Sequence, residues 1–172
     1  DMQDRVLLSF SDLAQVAPLR DVSTPYISWH ARYSETTDSS RNLTNEEFLS
    51  VHEILRSRYP DHTILLISDE VGCRHYSELI REYGLGGTVL SKDYSPSILG
   101  DAALILRSDL YYVFRGGGIT IVPLMSRLPY RCVNLTPYEI MWSAEQLTSW
   151  QGRSQLYVSE VDIDPARMTL MS

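Results

Sequence analysis

The 172-residue, 19.6 kDa chain is 44% hydrophobic and 22% charged, carries a formal charge of -7 and holds 9 Gly and 8 Pro, which fits one folded domain and excludes a disordered or collagen-like chain. A domain of this size buries about 70% of its unfolded surface without disulfides or a structural metal. Only Cys73 and Cys132 are present, without CxxC spacing, and no apolar stretch has the length of a membrane span or signal peptide, so a cytoplasmic, reducing setting is expected, with membrane association left open.

Tyr26 to Arg32 is aromatic and β-branched and reads as a strand running into a polar loop. Thr44-Asn45-Glu46-Glu47 has capping-box spacing, and Phe48, Val51, Ile54 and Leu55 follow at helical intervals until Tyr59-Pro60. Thr63 to Ser68 is a continuous apolar run, the pattern of a strand covered on both faces of a parallel sheet. Val71, Tyr76, Leu79, Ile80 and Tyr83 then recur at helical spacing, with Gly84 where a left-handed residue would end the helix. Thr88 to Leu90 is a third strand. Ser95-Pro96 is read as a cap and first helical proline before the stripe Ile98 to Leu106. Leu110 to Phe114 is the fourth strand, Gly116-Gly117-Gly118 a turn, Ile119 to Arg127 a helix and Tyr130 to Val133 the fifth strand. Thr136-Pro137-Tyr138-Glu139 opens a helix to about Trp150, and Leu156 to Ile163 is a late strand before a short helix from Pro165. Arg5 to Arg20 is a helix or an extended arm. Regular alternation of strand and helix predicts βαβ units, hence a Rossmann-like three-layer α/β sandwich with a mostly parallel sheet. The chain begins at Asp1, and it is expected to be one domain, excised from or half of a longer enzyme, with its core at about 26–150.

Ligands of open parallel sheets bind beyond the carboxyl ends of the strands, which singles out the loops at His30 to Asn42, Ser68 to Glu70, Ser91 to Tyr94 and Arg115 to Gly118. His30 and Arg32 alternate and share a face, where imidazole and guanidinium suit a phosphate; for His30 a hydrogen-bonded core role is the competing reading. The three glycines let backbone N–H groups approach an anion at the head of a helix, although a ligand-free tight turn explains them equally well. Asp69 and Glu70 either accept from a ligand's hydroxyls or cap the next helix. GxGxxG and GxxxxGK[ST] are absent, as are HExxH and GxSxG, so dinucleotide, P-loop, zincin and serine-hydrolase chemistry lose their usual signatures, and no metal or cofactor is expected. The negative charge and scattered basic residues argue against nucleic acid. Of fifteen basic residues fourteen are arginine and one, Lys92, is lysine. The sequons at Asn42 and Asn134 are too short to imply glycosylation.

A strand ending in His30-x-Arg32, a capped helix, a buried strand ending in Ser68-Asp69-Glu70, the helix Asp101 to Asp109 and the glycine turn together resemble the donor-binding half of GT-B glycosyltransferases. The likeness, over about Tyr26 to Val133, is to the α1,2/α1,6/O-fucosyltransferase group with its HxR motif. It extends to bacterial surface-polysaccharide glycosyltransferases in which an Arg-Asn pair, here Arg41-Asn42, follows the first strand. Tyr33-Ser34-Glu35 and the triple glycine depart from the fucosyltransferase pattern. The resemblance implies a nucleoside-diphosphate sugar, with fucose a candidate, and a glycan acceptor. Arg32 would stabilise the leaving diphosphate, assisted by Arg41 or Arg115, and Gly116, Gly117, Gly118 and Ile119 would hold the second phosphate. Asp69 or Glu70 would read ribose or base, with His30, Asn42, Ser68 and Asp93 completing the binding set. The acceptor base would belong to a missing N-terminal domain. One alternative is a nucleoside-monophosphate hydrolase related to proteins with PGGxGTxxE, of which Arg115 to Pro123 lacks the first proline, third glycine and glutamate. The other is a non-catalytic nucleotide- or partner-binding α/β domain.

Overall fold

The computed structural model describes residues 20–36, 39, 42–114, 117–124, 126, 128–133 and 160–162. Strands β1 (Tyr26–His30), β2 (Thr63–Ile67), β3 (Thr88–Leu90), β4 (Leu110–Phe114), β5 (Tyr130–Val133) and β6 (Glu160–Asp162) form one sheet in the order β3-β2-β1-β4-β5-β6. Every pairing is parallel. This is the doubly wound, Rossmann-like order, whose direction of winding reverses between β1 and β4.

Alternation along the strands divides the core. Ile27 and Trp29 of β1, with Ile64, Leu66, Tyr112 and Phe114, pack against Phe48, Val51 and Leu55 of α1 (Asn45–Arg58) and Tyr76 and Leu79 of α2 (Glu70–Glu82). Tyr26, Leu65, Ile67, Tyr111 and Val113 project the other way, against Ala102, Leu104 and Ile105 of α3 (Ile98–Leu106) and Val122 of α4 (Ile121–Leu124). Strands that face helices on both sides can be apolar throughout, as Ile64–Ile67 of β2 is in composition and burial.

Local signals account for the helix ends. Thr44 accepts from Glu47 N and the Glu47 carboxylate from Thr44 N, a complete capping box. Asp69 caps α2 through Gly72 N at 2.7 Å, and Gly84 adopts φ +60° beyond its C-terminus. Two expectations are corrected. The α3 cap is Ser97, which accepts from Gly100 N at 3.0 Å, while Ser95 lies buried beneath Gly100, where a Cβ would meet its Oγ at 1.5 Å. Instead of a helix over Ile119 to Arg127, a 3-10 turn at Gly118–Thr120 leads into the single-turn α4. Both the amide and the hydroxyl of Ser126 take the Pro123 carbonyl, at 3.1 and 3.0 Å, diverting it from continued helical bonding. The expected segments 5–19 and 138–150 and the helix from 165 lie outside the described residues.

Candidate functional site

Beyond the carboxyl ends of β1, β2 and β3 lies a cavity of about 340 Å³. β1 and its loop contribute His30, Arg32 and Tyr33; the β2 end contributes Ile67, Ser68, Asp69 and Glu70; Lys92, Pro96, Ile98 and Asp101 form the side below β3 and α3; Ile119 comes from the segment after β4. The volume is at the lower end of the roughly 300–1,000 Å³ of small-molecule sites.

The β1 loop is held from within. Asn42 donates from Nδ2 to Ser34 O at 2.7 Å and accepts on Oδ1 from Ser34 N at 2.9 Å and from Arg32 Nη1 at 3.3 Å. Tyr76, buried on α2, donates its hydroxyl to Arg32 O at 2.9 Å, and the same ring stacks on Phe48, which stacks on Trp29, at centroid distances of 4.6 and 4.7 Å. Arg32 is thus fixed at its backbone by the core and at its guanidinium by a loop amide. Tyr33 stacks on His75 at 4.0 Å.

His30, 7% exposed, lies at the reversal between β1 and β4. A Cβ on Gly117 would come within 2.5 Å of His30 Cε1, so the glycine is required by this close approach. The Gly117 amide meets Thr120 Oγ1 at 3.4 Å and its carbonyl accepts from Thr120 N at 2.9 Å, closing the turn on itself. Gly118 is exposed with open space around it. A four-residue α4 supplies no developed helix dipole to the anion cradle expected at Gly117, Gly118 and Ile119; of these Ile119 lines the cavity and Gly117 and Gly118 do not. Arg41, Arg115 and Gly116 lie outside the described residues.

At β2, Ser68 donates to Ala31 O at 2.8 Å, tying the two strand ends together, and the Asp69 carboxylate is engaged by Gly72 N. The capping alternative for Asp69 is therefore the observed one; Glu70 begins α2 exposed. Asp93 is exposed and outside the lining, whereas its neighbour Lys92 is within it. Lys92 Nζ pairs with Asp101 Oδ2, and the two side chains are 17% and 6% exposed. Burial raises the Asp101 carboxyl above the ordinary carboxylate range, opposed by Lys92 and the Ser91 hydroxyl. Beside them burial pushes the Cys73 thiol up, and its Sγ donates to Ser68 O at 3.6 Å. Sequence reasoning singled out the loop Ser91 to Tyr94 but took Asp93 rather than Lys92 from it, and it passed over Asp101 as a site residue, although a carboxylate inside the apolar run Ile98–Leu106 was a visible signal.

Among the described residues no group of three or more His, Cys, Asp or Glu is placed to hold a metal ion, and no helix is long and apolar enough to cross a membrane. Comparison of the chain with protein-family models, curated proteins and solved structures yields no match in any of the three.

Proposed function

We propose that this chain is the donor-binding domain of a glycosyltransferase and that the cavity receives the diphosphate end of a nucleoside-diphosphate sugar. The observation that carries the reading is the fixed Arg32 beside His30 at the carboxyl end of the central strand, on the edge where doubly wound sheets bind ligands. Transfer breaks the bond from the anomeric carbon to the diphosphate oxygen and forms one to an acceptor hydroxyl oxygen, whose proton passes to a base supplied from outside this domain. Charge grows on the departing diphosphate, and a guanidinium already held in place offsets it without reorganising. Pre-orientation by Asn42 and Tyr76 supports that role for Arg32.

The cavity volume favours one further reading, a site sized for a mononucleotide and therefore the hydrolase alternative. A thermal-shift panel of GDP, UDP, ADP, their sugar conjugates and AMP separates the two. A ligand at 100 times its Kd adds about 2.7 kcal/mol to stability. Stabilisation by one nucleoside diphosphate and its sugar conjugate is expected, and Arg32→Ala weakens that binding by about 1.5–3 kcal/mol, or ten- to a hundredfold. Preference for AMP promotes the hydrolase, and affinity unchanged by the Arg32 substitution removes Arg32 from the site.

A further inference from the structure

Lys92 is the single lysine among fifteen basic residues, so the chain uses an ammonium in one place, on the wall of the cavity. There it is largely covered and paired with an almost fully buried carboxylate. Stability is a weak reason for such a pair, since burying two charges costs about as much as their attraction returns and apolar residues of similar volume often do as well. Two other polar side chains of the lining are engaged by the backbone: Ser68 donates to Ala31 O and Asp69 accepts from Gly72 N. The ammonium has three protons, of which Asp101 Oδ2 takes one.

Placement decides what Lys92 can recognise. His30 ends β1 and Arg32 follows it, and Lys92 follows β3, a strand whose backbone lies two strand spacings, about 10 Å, from that of β1 across β2. The two strand ends therefore flank the cavity from opposite sides of β2. The β1 end carries the Arg32 guanidinium, whereas the Lys92 ammonium is already paired with the Asp101 carboxylate. A charge-compensated donor gains little from a second anion but still hydrogen-bonds a neutral oxygen.

We infer that Lys92, held by Asp101 as a positioning residue, reads hydroxyl groups of the ribose or sugar moiety of the ligand, at the end of the cavity opposite the phosphate-binding His30 and Arg32. This rests on the nucleotide-sugar reading. Its class of ligand is one that carries a hydroxylated ring next to its phosphates.

The composition provides the test. Lys92 is the single side-chain amine of the 172 residues, so its stable N-acetylation by acetic anhydride, after hydroxylamine has removed tyrosine esters, is read by mass spectrometry against the α-amino group as an internal rate reference. The nucleoside diphosphate chosen by the thermal panel, or its sugar conjugate, slows Lys92 acetylation about tenfold relative to the α-amino group, while inorganic pyrophosphate does not. Lys92→Met, which keeps the volume of the stem, lowers affinity for that nucleotide about tenfold and leaves pyrophosphate affinity unchanged; Arg32→Ala lowers both. Asp101→Asn raises the acetylation rate of Lys92 in the ligand-free protein. A bound nucleotide that leaves Lys92 as reactive as before, or a Lys92→Met loss as large for pyrophosphate as for the nucleotide, overturns the inference and leaves the donor-domain reading standing. No melting shift with any nucleotide overturns both.

Discussion

Gly117→Ala places a methyl carbon 2.5 Å from His30 Cε1, 3.3 Å from Nε2 and 3.5 Å from Nδ1. Ordinary contacts begin near 3.4 Å, so the ring or the turn must retreat by almost 1 Å. The ring has little room, being 7% exposed, with the Tyr111 ring 6.5 Å away between centroids. Overpacking of this kind costs about 1–3 kcal/mol. At roughly 2–4 °C per kcal/mol for a domain of this length, Tm falls by about 2–12 °C. Gly118→Ala is the control, because its Cβ meets nothing within 4 Å; a change below about 0.5 kcal/mol is expected. A double-mutant cycle with His30→Ala isolates the cause: in that background the alanine at 117 costs less than about 0.5 kcal/mol, giving a coupling of about 1–2 kcal/mol. Urea melts of the four proteins measure it. Equal costs of Gly117→Ala with and without the imidazole would refute the claim that His30 dictates this glycine.

Asn42→Ala removes three hydrogen bonds within the β1 loop and is expected to cost about 1–3 kcal/mol in urea melts; it also weakens nucleoside-diphosphate binding by titration calorimetry, although Asn42 is not in the cavity lining. Thr44→Ala breaks the capping box and lowers stability by about 0.5–2 kcal/mol with no change in ligand affinity. His52 is buried, with Nε2 2.9 Å from Thr88 Oγ1, and desolvation, helped by the Arg56 charge, lowers its pKa. The unfolded chain therefore takes up a proton first as pH falls below about 6.5, and its stabilisation is lost over that range. Melting temperature should rise between pH 5 and 7, and His52→Gln should flatten that rise; an unchanged slope would count against His52 as its source.

The strands β2 and β4 were readable because they are covered on both faces and are apolar along most of their length, so Ile64–Ile67 and Leu110–Phe114 stand out without their partners. The cap at Thr44 and the left-handed Gly84 are equally local, decided by atoms within a few residues. What depends on tertiary approach was not readable. Gly117 is a glycine because of a ring on β1, 87 positions earlier, and no pattern around 117 shows that ring. Lys92 and Asp101 meet because the α3 segment folds back over the end of β3, and the neighbouring Asp93, equally charged in sequence, faces solvent. Arg32 was legible as a residue at a strand end, while its two restraints come from Asn42 across a loop and Tyr76 on another helix.

The strand order also constrains how the molecule assembles. On β1, Ile27 stands opposite Ile64 on one side and Leu110 on the other, partners 37 and 83 residues along the chain. Closing the shorter loop costs less entropy, so β1, α1 and β2 can associate before β4 arrives. Most of the cavity lining lies between His30 and Asp101, ahead of β4 in the chain. The cleft is nevertheless complete only when β4 inserts beside β1 and the segment after it brings Ile119 to the cavity wall and Gly117 against the imidazole. During refolding, burial of Trp29 between β1 and α1 should precede recovery of ligand binding, with docking of β4 as the step between them.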